Sequence, residues 1–275
     1  FDLHRDGFTF IDRKSSLSSL LPSVKDPHDR SVVVNEAYPA AARIIEALAM
    51  QQPRPSTWKA VTYSHMHRYT LQCPSYTVHN DYTHPSQGVK QVLKVLEGHE
   101  QQSDIERALQ LPFFSVNVWT ALAPVRRDPL AVCRWNVGRE LSDMGYTGQR
   151  IGVDEWYWMP SMCRGEAIVF KQFDSVSLHI EEEGQAREGA QDTMSIRAQF
   201  TLHTSFREPP IGPRCRGPPP RRSIEYRVIV FEDEAGVLPA TFGQTAMDAL
   251  AKKAAKAAAA RQPSVETTGM IRDAA

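Results

Sequence analysis

Three residues of this chain have the types and spacing of a metal centre. His79-Asn80-Asp81 places an imidazole and a carboxylate two residues apart, just after the β-prone run 75–78. In an extended strand, residues i and i+2 project to the same side. The pair can therefore take two neighbouring positions on one ion. His203, at the end of an alternating run, is the candidate for a third position. Two histidines and one carboxylate on one face leave three coordination positions open, the arrangement of non-haem iron(II) oxygenases. Two of those positions suit a chelating 2-oxo acid and the third suits O2. An H-x-D is a weak signal by itself in a chain with nine histidines. A turn in which His79 and Asp81 bond to backbone is the competing reading.

A second constellation lies downstream. Arg221, Ser223 and Arg227 share one face if the run 221–231 is a strand. An arginine offers a planar fork to a carboxylate and a serine adds a hydroxyl. The distal carboxylate of 2-oxoglutarate is such a group; a solvated basic patch is the alternative. Asn117 and Lys171 are polar residues inside β-prone runs and are candidates to face a cavity. Trp119 and Trp156 are candidates to shape a substrate pocket, although aromatic residues in strands more often pack in cores. His65 and His67 form an H-x-H that competes on spacing, but without a carboxylate in the motif. No G-x-S-x-G is present to support a serine hydrolase.

These residues need a scaffold that brings distant strands together. Ile44, Ile45 and Leu48 have helical spacing within 33–50, and 86–110 reads as helix. From 113 to 231 the chain is a succession of β-prone runs, including 113–119, 130–133, 155–159, 167–171 and 195–204. Many short strands with early helices imply a mainly β fold with flanking helices, a double-stranded β-helix of the jelly-roll or cupin-like kind. One domain over 1–245 accounts for the pattern. Residues 246–275 are Ala/Lys-rich and read as a C-terminal helix or disordered tail. An acidic insert at 181–192 and a proline-rich loop at 209–220 interrupt the strands.

Composition narrows the partners. The 275 residues are 41% hydrophobic, enough for a substantial core. Lys+Arg and Asp+Glu are both 32, so the formal net charge is +0, which argues against nucleic acid as principal partner. No 18-residue apolar run suggests a membrane span, and the charged start is unlike a signal peptide, so a cytoplasmic location is expected. Four scattered cysteines without C-x-x-C read as free thiols.

An ordered set of motifs completes the reading. It includes Asp6-Gly7-Phe8, His79-Asn80-Asp81, and Asn117-Val118-Trp119. Further on come Glu155-Trp156-Tyr157, then Phe170-Lys171-Gln172, then His203-Thr204-Ser205, and finally Arg221-Arg222-Ser223. In this order the chain resembles the fungal hydroxylase/desaturase family related to the CmcJ component of cephamycin methoxylation. The resemblance implies an Fe(II)/2-oxoglutarate-dependent oxygenase with O2 as co-substrate, acting on a small molecule in secondary metabolism. It implies His79, Asp81 and His203 as iron ligands, and Arg221 with Ser223 or Arg227 at the co-substrate. Homodimerisation is a further expectation. A non-catalytic or differently metallated cupin-like binding protein is the alternative reading.

Overall fold

A computed structural model describes residues 1–51, 56–68, 74–82, 85–135, 155–176, 197–207 and 219–260. The acidic insert 181–192, most of the proline-rich loop and the tail beyond 260 lie outside the described residues, as do Cys73 and Cys215.

The frame is one five-stranded antiparallel sheet. It contains β1 (Phe8–Ile11), β2 (Trp58–Arg68), β3 (Phe113–Ala121), β6 (Ala167–Asp174) and β8 (Ser223–Glu232). Their order is β1-β6-β3-β8-β2. The central strand β3 is buried along its whole length, which matches the uninterrupted β-prone run Phe113–Ala121. A smaller antiparallel sheet has the order β5-β4-β7, from β4 (Leu130–Cys133), β5 (Trp156–Tyr157) and β7 (His203–Ser205). The run 195–204 was expected to form a full strand. Within its described part, only His203 onward joins a ladder. Upstream, the Thr201 hydroxyl and amide are drawn instead to the carbonyls of Gly7 and Lys171.

Among the described residues the α-helices that accompany the sheets are α1 (Arg30–Val32), α2 (Tyr38–Ala49), α3 (Pro85–Leu96), α4 (Gln102–Gln110) and α5 (Gln244–Ala259). The apolar stripe of α2, with Ile44, Ile45 and Leu48, packs on β2 and β8. The segment read as one helix over 86–110 is two, broken at Gly98, whose φ of +76° ends the turn. Helix α5 starts at Gly243, whose φ is +82° and where an added Cβ would meet Val61 Cγ2 at 2.4 Å. That close approach holds α5 on β2, and Ala246, Met247 and Ala254 are buried beneath it.

Lys171 lies at the heart of the frame. Its side chain is fully buried and ion-paired with Asp174, while Arg197 links Asp174 to Glu232. The ammonium also donates to the Ala198 carbonyl at 3.1 Å and lies 4.9 Å from the Phe114 ring centre. Burial pushes its pKa down to about 8 despite Asp174. Substituting one partner of a buried pair strands the other. Lys171→Met is therefore expected to lower stability by about 3–5 kcal/mol in denaturant titration, with metal affinity of the folded protein unchanged.

Candidate metal centre

The strand register assembles the centre. His79 and His203 form an antiparallel bridge. The His79 amide donates to the His203 carbonyl at 3.1 Å, and the His203 amide returns the bond at 3.0 Å. Residues directly opposite in such a bridge project to one side, and the two imidazole centroids are 4.3 Å apart. The turn after His79 carries Asp81 to the same side, its Oδ1 3.9 Å from His79 Nε2. One potential ligand atom from each of His79, Asp81 and His203 lies within 4.8 Å of the others.

Both rings are held so that Nε2 is the free nitrogen. His79 Nδ1 is 2.7 Å from the Thr77 carbonyl oxygen, and His203 Nδ1 is 3.1 Å from that of Thr201. A carbonyl can only accept, so each Nδ1 carries the proton and each Nε2 presents its lone pair. Burial lowers the His203 pKa from 6.5 to about 4, with His79 adding to the effect and Asp81 opposing it. The imidazole is therefore neutral at pH 7, the state a metal ligand needs.

Asp81 is oriented by three side chains. Its Oδ2 accepts from Asn117 Nδ2 at 3.2 Å and from an Arg227 terminal nitrogen at 3.1 Å. Its amide donates to Gln172 Oε1 at 3.0 Å. The β3–β8 register sets Asn117 directly opposite Arg227, so one pair of cross-strand neighbours grips one carboxylate. Desolvation would raise the Asp81 pKa, but His203, Arg227 and Asn117 outweigh it and hold the group below the usual range. Groups that orient a metal ligand typically contribute 10- to 100-fold in affinity. Asn117→Ala is therefore expected to weaken iron(II) binding by roughly that factor without removing it, as read by anaerobic titration.

Beside the three candidate ligand atoms is a recess of about 50 Å³, walled by Trp119, His203, Ser205, Arg221, Glu225 and Arg227 among others. Arg221 is buried, with its guanidinium 5.2 Å from the Trp119 ring centre. One terminal nitrogen donates to the Asp128 carbonyl and to Ser205 Oγ, both at 2.7 Å. Its Nε is buried and has no hydrogen-bond partner among the described residues. Asp128 has a φ of +55°, a left-handed conformation that costs energy outside glycine. Its carboxylate, held by Tyr76 and Arg127, keeps that turn in place. Burial, with Arg68 nearby, lowers the Arg221 pKa to about 10.

The remaining candidates divide. Ser223 is buried on β8 opposite Ala121 and does not line the recess. Trp119 does line it, whereas Trp156 packs with Cys133 and Leu202. Lys171 belongs to the charge network of the frame. His65 bonds through Nδ1 to the Tyr38 hydroxyl at 3.1 Å, on the helix side of the sheet. Two participants were not among the candidates read from the sequence. Gln172 sits beside Lys171 on β6 with its side chain directed to the Asp81 amide. Glu225 faces the recess, its carboxylate 3.5 Å from Arg227 Nε, with its pKa pushed up to about 7 by burial and by Asp81. Its place between Ser223 and Arg227 in the alternation was the available clue.

The acid side of the pH dependence follows from the buried imidazoles. His203 and His65 both have folded-state pKa values lowered by burial to about 4, from 6.5. As pH falls through that window, the unfolded chain takes up protons that the folded chain refuses. Stability present above pH 6.5 is therefore lost progressively down to about pH 4. The denaturant midpoint of the metal-free protein is expected to fall over this range, and His65→Gln to reduce the fall.

A profile of the oxidoreductase/YMDC permease-like domain family, YDMC, matches residues 1–231. The chain belongs to that family. Among the described residues of this YDMC member, no helix is long and apolar enough to cross a membrane. Among curated proteins it is similar to the alpha-ketoglutarate-dependent dioxygenase phiK of Fungal sp. (strain ATCC 74256), 24% identical over 84% of this chain and 79% of that protein. Among solved structures it is similar to the iron and alpha-ketoglutarate-dependent endoperoxidase NvfI. One NvfI structure matches at TM-score 0.61 and 22% identity, over 84% of this chain and 78% of that one. Another matches at TM-score 0.60 and 22% identity, over 84% and 80%. The YDMC chain thus shares the fold of these enzymes, a mostly antiparallel sheet structure with a few helices.

Proposed function

We propose that this protein is an Fe(II)/2-oxoglutarate-dependent oxygenase that hydroxylates or desaturates a small organic molecule of secondary metabolism. The observation that carries the reading is the convergence of one ring nitrogen each from His79 and His203 and one Asp81 carboxylate oxygen beside a recess containing a buried arginine. The donor set is neutral nitrogen plus carboxylate oxygen, which suits iron(II). The unpartnered Nε of Arg221 suits the distal carboxylate of 2-oxoglutarate. The dioxygenase named among the relatives and the endoperoxidase among the structures support the same chemistry. Kinship with the CmcJ-related hydroxylase/desaturase family, the double-stranded β-helix as the name of the fold, a cytoplasmic location and pairing of two copies are parts of this proposal.

His79, Asp81 and His203 would hold the iron, and Arg221 would hold the co-substrate. Iron(II) with 2-oxoglutarate and O2 supplies an oxidant strong enough for an unactivated C–H bond, with succinate and CO2 as co-products. The chain's own contribution is geometric. Thr77 and Thr201 fix the imidazole tautomers, while Asn117 and Arg227 hold one Asp81 oxygen so that the other stays available. Trp119 covers the Arg221 guanidinium and keeps water from its face. Arg227 is engaged by Asp81 and Glu225, so its role is to position Asp81; of the other two arginines in the recess, Arg68 and Arg221, the buried Arg221 is the cation proposed for the carboxylate.

The test is an anaerobic titration with iron(II) and 2-oxoglutarate, watching for the weak visible metal-to-ligand charge-transfer band. Wild type is expected to develop the band and His79→Ala to lack it. Well-folded wild type without a band would overturn the assignment in favour of another metal or a binding role.

A further inference from the structure

A second, larger cavity of about 580 Å³ meets the metal centre at Asp81 and Arg227, which line both spaces. Its volume falls in the range of small-molecule sites. Two helices cover it. Gln91, Lys94 and Val95 form one stripe of α3, and Ala249, Leu250 and Lys253 form one stripe of α5. In α3 these are positions i, i+3 and i+4, and in α5 Lys253 lies three and four residues after Leu250 and Ala249, spacings that share a helix face. The floor is polar: Asn117, Tyr63 and Tyr82, the two phenol oxygens being 2.9 Å apart.

The lining has a pronounced charge bias. Lys94 and Lys253 lie at its exposed rim, together with His99. Neither lysine is paired with a carboxylate among the described residues. The single acidic side chain in the lining is Asp81, whose charge already faces Arg227. Val95 and Leu250 add an apolar wall between rim and floor. An anion gains attraction from the two solvated ammonium groups that a neutral or cationic ligand does not.

We propose that this cavity is the site of the oxidised substrate and that the substrate is an amphiphilic organic acid. Its anionic group lies at Lys94 and Lys253, its apolar body lies against Val95 and Leu250, and the carbon to be oxidised lies toward Asp81. Its being the substrate rests on the iron/2-oxoglutarate reading above; the cavity's preference for an anion does not. Helix α5, whose composition alone marked it as an appendage, becomes a wall of the site.

The experiment uses two fluorescent probes with one aromatic skeleton on the full chain. One is the anion 8-anilinonaphthalene-1-sulfonate and the other the neutral N-phenyl-1-naphthylamine. The anion is expected to bind roughly tenfold more tightly than the neutral probe. The double variant K94E/K253E is expected to weaken the anion by roughly tenfold or more and to leave the neutral probe within about twofold. Ala249→Trp, which narrows the cavity from the α5 wall, is expected to weaken both. Equal binding of the two probes, an anion affinity indifferent to charge reversal, or binding that survives Ala249→Trp would each overturn the proposal. The iron(II)/2-oxoglutarate band is recorded on the same samples. A band with charge-indifferent probe binding defeats the acid site alone. Charge-dependent binding in wild type without a band defeats the oxygenase reading and leaves an organic-acid site.

Discussion

His203→Ala is expected to abolish turnover and to weaken iron(II) binding by more than about 100-fold, leaving a folded protein. The remaining donors, His79 and Asp81, would offer only two adjacent positions, and neither is buried as His203 is. The backbone bridge to His79 uses main-chain atoms and survives the substitution. What is lost is one nitrogen, a Thr201 contact and the ring packing against Phe170. Circular dichroism should therefore be close to wild type, while anaerobic titration shows no charge-transfer band. Iron affinity within a few-fold of wild type would remove His203 from the ligand set.

Arg221→Ala is expected to raise the 2-oxoglutarate concentration needed for half-saturation by roughly 100-fold or more, with iron(II) affinity nearly unchanged. Removing one member of a buried charge pair typically costs 2–5 kcal/mol or more. Arg221→Lys should recover only part of the loss, because an ammonium cannot present the guanidinium fork, nor stack on Trp119 in the same way. The substitution has a structural side as well. The guanidinium ties the strained Asp128 turn to Ser205 on β7, so melting temperature should fall in both variants. The 2-oxoglutarate requirement separates the roles. A protein with lower stability but an unchanged requirement would show that Arg221 is a structural clamp only.

The Arg227 result bears on how the two arginines divide their work. Arg227 is on β8 and Arg221 lies two residues before the strand's first residue, Ser223, and by alternation both looked equally suited to a carboxylate. In the folded chain Arg227 is ion-paired with Asp81 and Glu225, while Arg221 bonds to the Asp128 carbonyl and Ser205 and has no ion pair with a carboxylate among the described residues. Asn117 and Lys171 were likewise alike in sequence, each a polar residue in an apolar strand. β3 places Asn117 opposite Arg227 and β6 places Lys171 three residues from Asp174, so one serves the site and the other the frame.

Some of this protein was determined by the sequence alone. Most of the β-prone runs dictated strands, the Ile44/Ile45/Leu48 spacing dictated a helix, and the two-residue separation of His79 and Asp81 kept them close enough for one turn to bring them to the same side. These are local properties, set by backbone periodicity within a few residues. The pairing of His79 with His203 was not local: it needed two segments far apart in the chain to exchange backbone hydrogen bonds, and only strand register decides that. The same holds for which polar side chain in a buried strand meets a partner, and for the docking of α5, whose small apolar face gains its contacts only once Gly243 brings it against Val61. Periodicity specifies which residues face the same way; the sheet's order and register specify what they face.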